Sequence, residues 1–166
     1  MNRSISFVLC FAFTCFTLVF FRSPVTQGQE IYQTYNNARF AYSISYPASL
    51  LQPQGEAANG DGQKFLSGDG RAELIVYGRY NALNGTLKQA YKEESTAKVG
   101  HPRRVVTYKV LRANWFVVSG HEGGKTFYQK TMLKGDTFKT FRIEYDESEK
   151  AVFDPVTKRI EKSFRG

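Results

Sequence analysis

The feature that most constrains this chain is the stretch over residues 103–145, where four strand-like segments follow one another with almost no chain between them. They cover residues 103–112, 115–120, 126–133 and 137–145, and their connections are Ala113-Asn114, the glycine-rich Glu122-Gly123-Gly124, and Gly135-Asp136. A link of two or three residues can turn a strand back on its neighbour, but it cannot carry the chain across to a parallel position. The stretch is therefore an antiparallel meander. In its last strand Phe141, Ile143 and Tyr145 share one face and Thr140, Arg142 and Glu144 the other, which predicts one buried face and one wet face.

The remaining elements supply what such a sheet needs to cover it. Residues 40–46 alternate strictly, four large residues on one side and small ones on the other, and Pro47 ends the strand. Residues 52–70 read as loop, with a short strand over 63–66, and residues 72–77 form the next strand. Asn84-Gly85 is a turn, and Thr86 with Gln89 has the spacing of a capping box that opens a helix. Leu87, Ala90, Tyr91 and Ala97 stripe that helix, which ends at Gly100-His101-Pro102. A second helix is expected to start with Asp154 as N-cap and Pro155 in the first helical position, and Val156, Ile160 and Phe164 form its docking stripe. The fold class is α+β, in one domain over residues 38–166, preceded by a loose polar leader over 29–37.

The first 28 residues have a different character. One positive charge at Arg3 precedes an apolar run over residues 5–21 that holds no charged residue, the pattern of a secretion signal. Thr26 and Gly28 supply small residues before a cut near Gln29. The alternative is an uncleaved anchor, since the run sits at the short end of what crosses ~30 Å of hydrocarbon. A lipid-modified cysteine is disfavoured, because neither Cys10 nor Cys15 follows the small residues that such modification uses. Both cysteines lie inside the signal, so the mature chain forms no disulfide and must be held by its core. The expected location is periplasmic or extracellular, with membrane contact only through residues 5–21.

Net charge is +8, which would favour anionic lipid or wall polymer as a partner. The basic residues are scattered rather than massed, however, and charge of this size also serves plain solubility. The aromatic residues fall in strand-like alternation, which marks them as core and argues against a nucleic-acid platform. The densest basic stretch holds Lys98, His101, Arg103 and Arg104, with Lys109 and Arg112 beyond, and is a candidate anion contact. Arg103 and Arg104 would point to opposite faces of one strand, which weakens the patch.

Ser119-Gly120-His121-Glu122 is the most chemically suggestive run, and His121 and Glu122 are the candidates for a small hydrolase. Against that, no G-x-S-x-G elbow is present, and a triad normally draws on separate elements. A glycine-rich hairpin turn is the simpler account. Gly60-Asp61-Gly62 and Gly68-Asp69-Gly70 invite a calcium reading, but no EF-hand register fits, so they are read as two tight turns around a short strand. No zinc spacing, P-loop or dinucleotide fingerprint occurs, and no cofactor or metal is expected. Asn84-Gly85-Thr86 also fits a glycosylation sequon, with turn plus N-cap as the stronger reading.

Taken in order, the elements resemble those of the PsbP-like family. The resemblance rests on an opening strand ending in tyrosine-proline (FAYSISYP), an alternating strand (AELIVY), a helix opened by threonine-leucine (TLKQAYKE), a late meander, and a last helix ending in serine-phenylalanine (KRIEKSFR). It implies an antiparallel sheet packed between helices, an αβα sandwich, and usually no catalysis. Members include extrinsic proteins of the oxygen-evolving photosystem and exported bacterial proteins of unknown role. A related fold binds a small GTPase. The resemblance assigns no ligand or partner residue here. The expectation is a non-enzymatic exported accessory protein working through a protein partner at or near the membrane. A binder of anionic lipid or polymer is the alternative, and a small hydrolase the third reading.

Overall fold

The computed structural model describes residues 30–96 and 104–166. Its centre is a seven-stranded antiparallel sheet in the order β3-β4-β5-β9-β8-β7-β6. The strands are β3 (Gln52–Glu56), β4 (Gly62–Leu66), β5 (Ala72–Tyr80), β6 (Arg104–Leu111), β7 (Trp115–Glu122), β8 (Lys125–Lys134) and β9 (Thr137–Asp146). The meander expected over residues 103–145 forms as β6 to β9, each strand hydrogen-bonded to the next. The last strand then pairs with β5, Ala72 opposite Tyr145 and Tyr80 opposite Thr137, which joins this meander to the one made by β3, β4 and β5.

Period-two alternation gives the sheet two apolar faces, and each takes a different cover. On one face lie Phe65, Leu74, Val76, Phe141 and Ile143, none of them exposed to solvent. Against them pack the hairpin of β1 (Tyr32–Asn37) and β2 (Tyr42–Pro47) and the helix α2 (Lys150–Ser163). Ile44 and Ile160 come from these two elements and are likewise fully buried. The opposite face holds Phe116, Val118, Phe127 and Phe138, and α1 (Leu87–Ser95) covers it through Leu87, Ala90 and Tyr91. The result is a three-layer α+β sandwich in which a hairpin shares one outer layer with a helix.

The capping box at α1 is formed as the spacing predicts: the Gln89 amide donates to Thr86 Oγ1, and Gln89 Oε1 accepts from the Thr86 amide. Asn84, in a left-handed conformation at φ 50°, makes the turn before it. Three expectations need correction. Residues 32–37 are not a loose leader but strand β1, paired with β2 from Tyr32 opposite Pro47 to Asn37 opposite Tyr42. Asn37 is buried at its end, where its side chain accepts from the Phe40 amide and donates to Tyr35, Glu56 and the Gly60 carbonyl. Residues 52–56 form edge strand β3 rather than loop, every side chain exposed, with Pro53 and a register shift before Glu56. Proline and a bulge are admissible there because an edge strand needs hydrogen bonds on one side only.

The third correction concerns α2, which begins at Lys150, directly after a 3-10 turn over Glu147–Glu149, and not at Asp154. Pro155 is therefore inside the helix, where it removes a backbone donor. The earlier start is favoured by Phe153, which is buried and stacks on Tyr145 with ring centroids 5.4 Å apart. Asp154 accepts a hydrogen bond from the Tyr145 phenol at 2.6 Å instead of capping.

Candidate functional site

Strand β7 brings the two candidate catalytic residues to the same end of the sheet but to opposite faces of it. Glu122 faces α1. Its Oε2 lies 3.2 Å from Arg104 Nη1 and 2.8 Å from Arg142 Nη2, and Arg142 also holds Glu144 at 2.8 Å. Arg104 donates further to the Glu94 carbonyl at 3.0 Å and reaches the Glu94 carboxylate at 3.4 Å. Both guanidinium carbons stand 4.5 Å from the centroid of Phe127, so the cluster combines charge pairing with cation–π contact. Burial works against the Arg142 charge, but the hydrogen bonds it donates to Glu144 and Glu122, with their negative charges, more than offset it and hold its pKa above the ordinary value.

Arg104, expected as part of a basic binding stretch, instead faces inward: only 2% of its side chain is exposed. Its charge serves the interior of the sandwich. Lys98, His101 and Arg103 lie outside the described residues.

His121 faces the α2 side. Its Nδ1 lies 2.7 Å from Glu147 Oε1 in the turn that leads into α2. Ser119 shares this face two residues away, but its hydroxyl donates to the Phe127 carbonyl at 2.7 Å. A nucleophile and its base must be within hydrogen-bond reach of one another, and here serine, histidine and glutamate each have a different partner. The two glycine-aspartate turns flank β4 as expected, with Gly60 and Gly70 in left-handed conformations. Asp69 is committed there: it accepts from Ser67 Oγ, the Arg71 amide and Arg71 Nε, which holds its carboxyl well below the usual range.

A second arrangement on the α2 side was not singled out by the sequence. A cleft of about 290 Å³ opens between α2 and the strands β7, β8 and β9. Ser119, Thr126, Tyr128 and Tyr145 come from the sheet, and Lys150, Asp154, Thr157, Lys158 and Glu161 from the helix. Thr126 and Thr157 are buried, yet neither hydroxyl makes a hydrogen bond of normal geometry, though Thr157 lies beside the Tyr145 phenol. Burial keeps the Tyr128 and Tyr145 phenols protonated far into the alkaline range, and for Tyr145 the Asp154 carboxylate adds to the effect. A larger depression of about 460 Å³ lies under residues 79–86, but no buried polar group lacking a partner lines it among the described residues. The sequence signal for the first cleft was the second stripe of α2, at positions 150, 154, 157, 158 and 161, beside the apolar one.

The architecture these elements build is a PsbP-like fold. The structure is similar to the solution structure of cyanobacterial PsbP (CyanoP) from Synechocystis sp. PCC 6803, with a TM-score of 0.61 over 87% of this chain and 98% of that one, at 12% sequence identity. No protein-family model and no curated protein sequence matches the chain. Identity this low establishes the fold and leaves function to be argued from the residues.

Proposed function

We propose that this chain is a non-catalytic exported accessory protein that acts by docking a protein partner at or near a membrane. The observation that carries the reading is the edge of the sheet at β6. Among the described residues β6 pairs only with β7, and its Val105 and Tyr108 are 56% and 55% exposed. Both sit opposite residues of the α2 face, Val105 against His121 and Tyr108 against Ser119. The two are three residues apart and share a face because the β6 register shifts between Val106 and Tyr108. An exposed edge with protruding apolar side chains can accept a further strand from another chain, backbone bonds giving affinity and side-chain pockets giving choice of partner. The opposite edge, β3, reads QPQGE, with a proline that lacks a backbone donor and no large apolar side chain, and offers no such surface.

Two further features support the reading. The charged apolar-run pattern of residues 3–21 fits export, and PsbP-like folds imply accessory rather than catalytic roles. The anionic-surface alternative loses ground because several cations are already committed: Lys64 to Glu73, Arg71 to Asp69 and Glu149, and Lys130 to Glu161.

The test is photo-crosslinking in intact cells from position 108, with position 54 on β3 as control. One protein should be captured from position 108 and not from 54, and the Val105→Asp variant should abolish the capture. The complex should also survive moderate salt, since a polyanion contact would weaken steeply with ionic strength. Equal capture from both positions, or loss of capture in salt with Val105→Asp harmless, would remove the docking reading.

A further inference from the structure

We propose that the cleft between α2 and the sheet binds a small organic monoanion, a carboxylate carried on a flat apolar body. The inference stands apart from the docking edge, although Ser119 lines the one and lies opposite Tyr108 in the other. At about 290 Å³ the cleft lies at the small end of the roughly 300–1,000 Å³ typical of small-molecule sites.

The polar groups of the cleft ask for an acceptor. Thr126 lines the cleft and is 7% exposed, and its buried hydroxyl has no hydrogen-bond partner. A hydroxyl removed from water without a partner is a standing cost, and a ligand oxygen seated in the cleft removes it. From the helix wall opposite, Thr157 presents a second buried hydroxyl with no well-formed bond.

Charge selects the ligand's sign. Lys150 and Lys158 stand two helical turns apart on α2, and both are exposed. Neither makes an ion pair among the described residues. The carboxylates between and beyond them are engaged, Asp154 by the Tyr145 phenol and Glu161 by Lys130. A neutral phenol leaves the Asp154 charge in place, but with Glu161 paired to Lys130 the two lysines outnumber it, and the net positive charge attracts a carboxylate and strengthens its hydrogen bonds.

The floor selects the body. Tyr128 lies flat against Phe141, with ring centroids 5.9 Å apart and planes 23° from parallel. Its protonated ring offers the cleft an apolar face with a neutral donor at its tip. A planar ring or short unsaturated chain fits such a face, with its carboxylate reaching the lysines and threonines.

Benzoate is the probe, and the whole protein as recovered from expressing cells is the sample, labelled with carbon-13 at its threonine methyls. Benzoate should shift the Thr126 and Thr157 signals saturably, with millimolar or tighter affinity. Neutral benzamide should bind about tenfold more weakly or worse, because hydrogen bonds to charged groups are the stronger ones. The double variant Lys150→Gln with Lys158→Gln alters two exposed side chains and should retain the fold. It should lower benzoate affinity by a similar factor and leave benzamide unchanged. Shifts that grow without saturating, benzamide binding as tightly as benzoate, or benzoate unaffected by the double variant would each overturn the proposal. None of these outcomes bears on partner capture at β6.

Discussion

Replacing Glu122 with alanine should be among the more damaging single changes outside the apolar core. Glu122 is 21% exposed at its side chain, Arg142 17% and Arg104 2%, so the ion pairs are nearer the buried than the surface regime. Breaking a buried pair from one side typically costs about 3–5 kcal/mol, because the remaining charge is left in a poor solvent. Here the cost is reduced by remaining partners: Arg142 keeps Glu144 at 2.8 Å, and Arg104 keeps the Glu94 carbonyl at 3.0 Å. That places Glu122→Ala at about 2–3 kcal/mol, or ~10 °C in melting temperature for a domain of this size. Glu122→Gln keeps the shape and an acceptor oxygen, and should cost only about 1 kcal/mol. Urea titration followed by circular dichroism measures both. The double variant Glu122→Leu with Arg104→Met removes both sides of the pair and should be less destabilised than Glu122→Ala. The reasoning is refuted if Glu122→Ala lies within about 0.5 kcal/mol of wild type, or if the double variant is the plain sum of its singles.

Three more outcomes follow from the same geometry. Gly120→Ala would place a Cβ 1.9 Å from the Val105 carbonyl oxygen, so it should push β6 off the sheet, with amide exchange in β6 rising far more than in β9. Phe65→Ala empties a site of no solvent exposure where the Tyr46 ring lies 4.3 Å away, and should cost about 3–5 kcal/mol in urea unfolding. Lys139 is buried with its Nζ donating to the Ala41 carbonyl, and desolvation, aided by Lys134, lowers its pKa. The unfolded chain therefore holds that proton more tightly, and stability gains from this group as pH rises toward the ordinary lysine value of ~10.4. The Lys139→Met variant should lose ground to wild type as the pH is raised toward about 10 in paired urea titrations.

What could be read from the sequence was what neighbouring residues decide among themselves. The Thr86–Gln89 capping box is complete within four residues, and β5 carries its own alternation, as does β9 over Phe141–Tyr145. Strand β3 carries none, because QPQGE is placed by backbone pairing to β4 at a solvent edge and buries no side chain. The start of α2 was hidden for a related reason: Asp154-Pro155 is a sound local start, and only the stacking of Phe153 on Tyr145 overrides it. The same limit applies to the sites. Arg104 reads as surface charge until β6–β7 register sets it opposite Glu122. Thr126, Tyr145 and Thr157 are unremarkable apart, and meet only because β8 pairs with β9, Thr126 opposite Tyr145, and α2 packs over the pair.

The β5–β9 seam also determines when this chain can become a folded molecule. Each meander is assembled from hairpins whose partners follow closely in the chain, and those form fast. The seam pairs Ala72 with Tyr145 across everything between them, so its loop-closure entropy must be met before its contacts stabilise anything. Until β9 has been synthesised, β5 lacks a neighbour on one side, and Leu74 and Val76 lack Phe141, Ile143 and the helix α2 that complete their cluster. From the completion of β5 at Tyr80 until β9 is added, the nascent chain therefore carries a half-sheet with an open apolar edge, and a holding chaperone has its opportunity there.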